Sequence, residues 1–183
     1  VAQSQNNGAP YAGWSLYVDN SSLIVFEGTN GALIGSSTVT VPLNAWTHVA
    51  VVKSSSTLTI YQNGVSVNSG SAPAVSNYNT VLAIGNFSSY VGGVDWNGYI
   101  SDLRIVKGTA IYSSNFVPPA SPILAVQNTV LLNNMTSAGI YDAAMMNNIE
   151  TVGDAKLSTA ISKFGGSSMS FDGTGDWLYG PKT

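Results

Sequence analysis

Residues 44–67 read NAWTHVAVVKSSSTLTIYQNGVSV, and the alternation within this stretch decides the fold. Side chains of an extended strand point alternately to its two faces, and both faces of the segment that starts at Trp46 are largely apolar. A second alternating run ends at Asn63-Gly64, a dipeptide that tolerates the positive φ angles of a tight type I′ turn. The stretch therefore predicts a central β-hairpin inside a sheet that is covered on both sides.

The rest of the chain repeats this pattern of short alternating runs between turn residues. A three-strand meander with a second turn at Asn30-Gly31 is expected before the hairpin, and one long strand is expected over 97–107. Residues 167–179 predict another hairpin. Because turn signals are this frequent, we predict an all-β fold, an antiparallel two-sheet β-sandwich or jelly roll. Its predicted core contains Trp46, His48, Val52, Ile60, Ile84, Leu103 and Ile105.

The composition excludes several kinds of partner. Only 8% of the residues are charged and the net charge is -3, so no basic stripe is present for a phosphate backbone, and nucleic acid is not an expected partner. No apolar run reaches the roughly 20 residues that span a bilayer, so membrane insertion is not expected. The Cys count of 0 removes disulfides, thiolate metal sites and cysteine nucleophiles.

Four stretches carry a resemblance to a known family. Their order, with a Trp-x-His strand, an Asn-Gly hairpin and an Asp-Leu-Arg-Ile strand, resembles the laminin-G-like, concanavalin A-like jelly rolls, as found in bacteriophage tail and other virion proteins. The resemblance implies a concanavalin A-like sandwich in a virion, or in an extracellular or cell-surface protein. The stretches are GWSLYVDN (13–20), NAWTHVAVVKSSSTLTIYQNGV (44–65), NGYISDLRIVKGTAIYSSNFVPP (97–119) and KFGGSSMSFDGTGDWLYGP (163–181).

The order of the segments departs from the family pattern. In the family, a segment like FGGSSMSFDGTGDWL opens a module, whereas here it comes last. We therefore interpret 1–119 as the later part of a laminin-G-like sandwich, 120–128 as a linker, and 129–183 as strands that resemble the start of a following module. These last strands are expected to complete a sandwich, either in a permuted chain or between subunits. Copies of the chain or neighbouring modules are the expected partners, by strand or edge complementation.

Catalytic residues are scarce. His48 is the only histidine, and it falls within an apolar strand, so we predict a core histidine instead of a catalytic or zinc-binding one. Glycosidases of this fold need two carboxylates across a cleft, but the only glutamates, Glu27 and Glu150, fall in unrelated segments. The chain is therefore not expected to be an enzyme.

One loop has the composition of a glycan-binding site. Carbohydrate recognition combines aromatic platforms with amide or carboxylate partners, and this loop offers all three kinds of side chain. The alternative is that some of the rings close the edge of the sandwich. The candidate residues are Asn86, Phe87, Tyr90, Asp95 and Trp96.

Calcium is the one cofactor for which the sequence offers candidate ligands. Laminin-G-like modules can hold this ion through loop aspartates, and Asp19, Asp95, Asp172 and Asp176 all fall in predicted turns, with Asp172 and Asp176 the candidates. Aspartates also stabilise turns by bonding their own backbone, which is the competing explanation. No other cofactor is expected.

These observations lead to a hypothesis about function. It is a non-enzymatic structural module of a virion or surface, of the phage tail, fibre or appendage type, with a glycan-binding adhesion role. The alternative is a dedicated lectin-like, carbohydrate-binding module of a secreted or cell-surface protein. A glycoside hydrolase is the third hypothesis.

Overall fold

A computed structural model describes residues 2–5, 13–28, 33–72, 75, 81–86, 95–135, 140, 142–144 and 149–182. Every regular element in these ranges is a β-strand, and the recorded strand pairs are antiparallel, which confirms the predicted all-β class. The same ranges hold no helix that is long and apolar enough to cross a membrane. The strands are β1 (Ala2–Gln5), β2 (Gly13–Val18), β3 (Leu23–Glu27), β4 (Leu33–Thr40), β5 (Val49–Ser54), β6 (Thr57–Gln62), β7 (Val65–Ser71), β8 (Val81–Ile84), β9 (Asn97–Ile100), β10 (Leu103–Val106), β11 (Thr129–Asn133), β12 (Glu150–Val152), β13 (Lys156–Ser158), β14 (Ser168–Asp172) and β15 (Trp177–Lys182).

The chain divides into two compact bodies. The first body contains Ala2–Thr80 and Ala110–Pro118, and the second contains Val81–Thr109 and Pro119–Thr183. Each body is therefore built from two separate stretches of sequence.

In the first body, two antiparallel sheets enclose an apolar core. Strands β1 to β4 form a meander in chain order, and β5, β6 and β7 form the other sheet. Ile24 from β3 packs with Leu58 and Ile60 from β6, so the core is made by inward-facing residues of both sheets, as expected of a β-sandwich. Partly buried residues from β2, β3, β5 and β7 surround these three: Leu16, Phe26, Val49, Val51 and Val67.

The predicted hairpin at Asn63-Gly64 is confirmed. Gln62 and Val65 are paired, so the loop has two residues, and both have positive φ, 50° for Asn63 and 79° for Gly64. These are the angles of a type I′ turn. The turn predicted at Asn30-Gly31 lies outside the described residues.

Residues 110–118 form a segment that we call the strap. The N–H of Phe116 donates to the carbonyl of Gly64 at 2.9 Å, and the N–H of Ser66 donates to the Asn115 side-chain oxygen at 2.9 Å. The rings of Tyr112 and Phe116 stack with centroids 3.6 Å apart. The strap is therefore held against the β6–β7 turn by both backbone bonds and aromatic packing.

The second body contains strands from two separate stretches of the chain, Val81–Thr109 and Pro119–Thr183. Strand β15 pairs with β12 and β8, β14 pairs with β13 and β9, and β10 pairs with β11. Strands after residue 128 thus pair with strands from residues 81–106 of the same chain. Its buried apolar side chains include Leu82, Ile84, Leu131, Leu132, Met135, Met169, Phe171 and Leu178.

The predicted hairpin over 167–179 is wrong. Strands do form there, but β14 and β15 belong to different sheets and are not paired with each other. Positive φ angles at Gly173 and Gly175 turn the chain between the two sheets. Alternation correctly indicates strands, but it does not determine which neighbours they pair with.

The single strand predicted over 97–107 is also wrong, because the chain breaks at Asp102, whose φ is 55°. The Asp102 carboxylate accepts from the N–H of Ile123 at 3.2 Å and from the side chain of Asn134 at 2.9 Å. Arg104 donates to the carbonyl of Leu124 at 2.8 Å. The local kink sends β9 and β10 to different sheets.

The predicted core residues differ in their burial. Ile60 and Ile84 are 1% and 2% exposed, as expected. Trp46 and His48 come before β5 begins, and like the remaining predicted core positions they are half-buried. The rest lie within β5 and β10 and are half-buried as well: Val52, Leu103 and Ile105.

Candidate functional site

The second body carries a polar pair at the connection between β8 and β9. Asn86 and Asp95 form an isolated antiparallel bridge, and the Asn86 side-chain N–H₂ donates to an oxygen of the Asp95 carboxylate. Asn86 is 8% exposed, and its side-chain oxygen has no hydrogen-bond partner. Buried polar atoms that lack a protein partner are normally bonded to an ordered water.

The Asp95 carboxylate also reaches the loop between β14 and β15. Its second oxygen accepts from the N–H of Gly175 at 2.8 Å. The structure thereby brings together two groups of residues that the sequence singled out separately, the glycan candidates Asn86 and Asp95 and the loop of the calcium candidates Asp172 and Asp176. We call residues 172–176 the acidic loop.

Asp176 holds the acidic loop in shape. It is 1% exposed, and its two oxygens accept from the N–H of Asp154 at 2.7 Å and from the N–H of Asp172 at 3.1 Å. Burial alone would raise the pKa of Asp176, but the backbone hydrogen bonds from Asp172 and Asp154 outweigh it and hold the pKa below the usual value.

Asp154, like Asp172, is exposed. A hydrogen bond to Asp176, followed by repulsion from Asp176 and Asp172, raises the pKa of Asp154, against a smaller opposing effect of Lys156. The Lys156 ammonium lies 4.0 Å from the Asp154 carboxylate, and both side chains are largely exposed, so their attraction is weak.

Three carboxylates therefore converge, from Asp154, Asp172 and Asp176, with their oxygens within 4.8 Å of one another. Such hard oxygen donors are the kind that calcium prefers, although the ion takes about six to eight of them. Both oxygens of Asp176 already accept amide hydrogens. Calcium binding here stays a prediction.

The sequence did not identify Asp154. It precedes the acidic loop by 18 residues and joins it only because β12, β13, β14 and β15 meet in this body. The local signal was Gly153, whose φ is 76° and where an added Cβ would lie 2.3 Å from an Asp176 oxygen. Only glycine fits there, so the Gly-Asp pair marks a site of close approach.

The other glycan candidates are placed only in part. Trp96 is half-buried beside Gly98, and its indole N–H has no hydrogen-bond partner. Its backbone N–H donates to the carbonyl of Gly85 at 2.7 Å, which fixes the backbone of Trp96 next to the Asn86–Asp95 bridge. Phe87 and Tyr90 lie outside the described residues.

The catalytic candidates do not come together within one body. His48 and Glu27 belong to the first body and Glu150 to the second. His48 packs edge-to-face against Phe116, with ring centroids 5.5 Å apart, and Glu27 accepts from the Tyr17 hydroxyl at 2.6 Å. Asp19 bonds the N–H groups of Ser21 and Leu23, as a turn aspartate does.

Comparison with known families agrees with this architecture. Residues 1–110 match a laminin G family model that is described as the concanavalin A-like lectin/glucanases superfamily. The chain belongs to this superfamily. No curated protein and no solved structure matches it. In this concanavalin A-like chain, the matched residues include β8, β9 and the Asn86–Asp95 bridge, whereas the acidic loop comes from outside them.

Proposed function

We propose that this chain is a non-enzymatic glycan-binding module of a virion or cell-surface structural protein. Membership of a superfamily of lectins and glucanases supports a lectin-like or binding role. The finer proposal rests on one observation, the half-buried Asp95 carboxylate that two hydrogen bonds fix next to half-buried Trp96. A carboxylate has further acceptor positions besides these two, and a sugar hydroxyl can donate to them.

The arrangement fits carbohydrate recognition in a second respect. Lectin sites combine a rigid polar constellation with a ring on which a sugar can lie, and the half-buried Trp96 immediately follows Asp95. The Asn86 and Asp95 side chains are fixed before ligand arrives, because they are hydrogen-bonded to each other. Preorganised groups lose less conformational entropy on binding.

A glycan array with the whole chain tests the proposal. We expect binding that Trp96→Ala weakens by tenfold or more, which corresponds to about 1.4 kcal/mol. Tyr179→Ala is the matched control, because Tyr179 is an aromatic residue of the same body that is 42% exposed and lies in β15. Thermal unfolding shows whether the variants stay folded, and Trp96→Phe replaces Trp96→Ala if that variant does not. Absence of binding to every glycan would contradict the proposal.

A purely architectural module is the second candidate function, and exposed apolar side chains favour it. Leu43 is 86% exposed and Val117 is 90% exposed in the first body, and Leu124 is 75% exposed in the second. Copies of the chain, or neighbouring modules, would cover such side chains in a fibre or tail. Sedimentation of the whole chain over a range of concentrations tests this assembly: a monomer throughout removes support for self-association.

A glycoside hydrolase is the third candidate, and the opposed pKa shifts of Asp154 and Asp176 are the observation in its favour. Against it, Asp176 is 1% exposed and both its oxygens accept amide hydrogens, which leaves it poorly placed as a nucleophile. Release of reducing sugar from a polysaccharide panel, lost in Asp154→Asn but not in Glu150→Gln, would establish this candidate.

A further inference from the structure

Strand β5 lies at the edge of its sheet. Among the described residues it pairs with β6 alone, and its other side carries no backbone hydrogen bond. We propose that this free edge is a dimer interface, at which β5 of one copy pairs antiparallel with β5 of a second copy. The inference goes beyond glycan binding and does not depend on it. It names the contact through which the architectural candidate would assemble.

The composition of β5 is that of an interior strand. It begins with Val49, Ala50, Val51 and Val52, so both of its faces are apolar, and such runs are typical of strands that are covered on both faces. All four residues are only half-buried, whereas the adjoining strand β6 buries four of its six residues. An apolar strand edge that stays open is a template for pairing with another chain.

The edge also lacks the features that prevent such pairing. Sheet edges are protected by short strands, by charged side chains and by bulges. The end strands β12 and β13 of the second body are three residues long and carry Glu150 and Lys156. Strand β5 has six residues, its register with β6 shows no bulge, and its one charged residue is Lys53, near its end. It is therefore a long, regular edge that another strand can extend.

Charge favours a second copy in the antiparallel orientation. In a parallel, in-register pair of β5 strands, the two Lys53 side chains would lie on neighbouring strands about 4.8 Å apart and repel each other. In an antiparallel pair centred on Val51, they lie four residues apart along the strands, about 13 Å, which is beyond the screening length of about 8 Å at physiological salt. Each Lys53 then lies opposite Val49 of the other copy, against which its aliphatic stem can pack.

Pairing centred on Val51 also extends the sandwich. Val49 and Val51 pack against the buried core of the first body. A two-fold axis through Val51, perpendicular to the sheet, keeps this face of both copies on the same side, so the two three-stranded sheets join into one with a continuous apolar face. Because such a contact is isologous, it closes at two copies, and the mass in solution should level off at that of a dimer.

Sedimentation velocity of the whole chain from micromolar to millimolar concentration tests the interface, with Val52→Lys as the variant. Since Val49 and Val51 face the core, Val52 lies on the opposite face of β5, where a lysine leaves the core intact. We expect a wild-type dimer whose Kd Val52→Lys raises about tenfold or more, because pairing would bury its ammonium group. Val65→Lys is the matched control, since Val65 is a 53% exposed valine of β7 in the same sheet, and it should leave the Kd unchanged.

A crosslink supplies a second test that does not depend on the folding of Val52→Lys. The chain has no cysteine, so Val51→Cys introduces a single one, which the two-fold axis places opposite its counterpart within reach of a disulfide. We expect oxidation to link Val51→Cys into dimers and to leave Val65→Cys largely monomeric. A monomer at every concentration, a dimer that Val52→Lys does not weaken, or equal linking of both cysteine variants would overturn the inference. None of these outcomes bears on the glycan array, so the two proposals fail separately.

Discussion

The carboxylate of Asp95 accepts a hydrogen bond from the N–H of Gly175, 80 residues further along the chain, at 2.8 Å. Because the other oxygen of Asp95 accepts from Asn86, one side chain ties the β8–β9 connection to the acidic loop. Asp95→Ala leaves the part-buried Asn86 N–H₂ without its acceptor, whereas water can reach the exposed Gly175 N–H, so we expect a loss of about 1 kcal/mol in the free energy of unfolding. Urea denaturation measures it. Asp95→Asn retains one acceptor and should lose less; equal losses would argue against this role.

Gly153 provides a test of the close approach to Asp176. Its φ of 76° costs any other residue about 1–2 kcal/mol, and an added Cβ would also lie 2.3 Å from an Asp176 oxygen. Gly166 has φ 81° with no atom within 4 Å of an added Cβ, so it carries the backbone cost alone. We expect Gly153→Ala to lower the midpoint of thermal unfolding well beyond Gly166→Ala. Equal shifts would show that the loop adapts.

Gly64 gives the corresponding test in the first body. An added Cβ would lie 1.9 Å from the carbonyl oxygen of Phe116, so Gly64→Ala should displace the strap. Gly108, with φ 83° and open space around it, is the matched control. We expect Gly64→Ala to reduce the near-ultraviolet circular dichroism of the stacked Tyr112 and Phe116 rings, whereas Gly108→Ala keeps it. An unchanged spectrum in Gly64→Ala would mean that the strap does not depend on this contact.

The acidic group predicts opposite pH dependences. The pKa of Asp176 is lowered in the fold, so its contribution to stability is present above the unfolded pKa of about 3.9 and is lost as pH falls through the lower folded value. The pKa of Asp154 is raised, so stability is lost as pH rises from the unfolded value through the raised one. Urea unfolding between pH 2 and pH 7 should show Asp154→Asn abolishing the second loss and reducing the first, which persists because the backbone N–H groups of Asp172 and Asp154 still bond Asp176. A wild-type profile in Asp154→Asn would contradict this assignment.

Calcium gives a test of the converging carboxylates. If the ion binds with a Kd of about 0.1–1 mM, as extracellular modules do, about 10 mM calcium stabilises the fold by about 1–3 kcal/mol. We expect a rise in the midpoint of thermal unfolding that is absent in Asp172→Asn and retained in Glu150→Gln. If wild-type protein unfolds at the same temperature with and without calcium, the predicted site is wrong.

The features that could be predicted from sequence are those decided by neighbouring residues. The Asn63-Gly64 turn needs only two residues with positive φ, and short alternating runs suffice to indicate strands. Partner choice is different, because β14 and β15 pair with strands about 70 to 100 residues earlier that their own alternation cannot specify. For the same reason Asp172 and Asp176 could be proposed together, whereas Asp154 could not be added to them.

The strap has a consequence for how this sequence can be divided. The family match ends at residue 110, where the strap begins, and the chain enters the second body before the strap returns to the first. A recombinant fragment cut at that point would keep the turn at Gly64 but lose Phe116, leaving the Gly64 carbonyl and the rings of His48 and Tyr61 without the cover they have in the whole chain. The residues that match the family therefore end before the strap, although the strap packs as part of the first body.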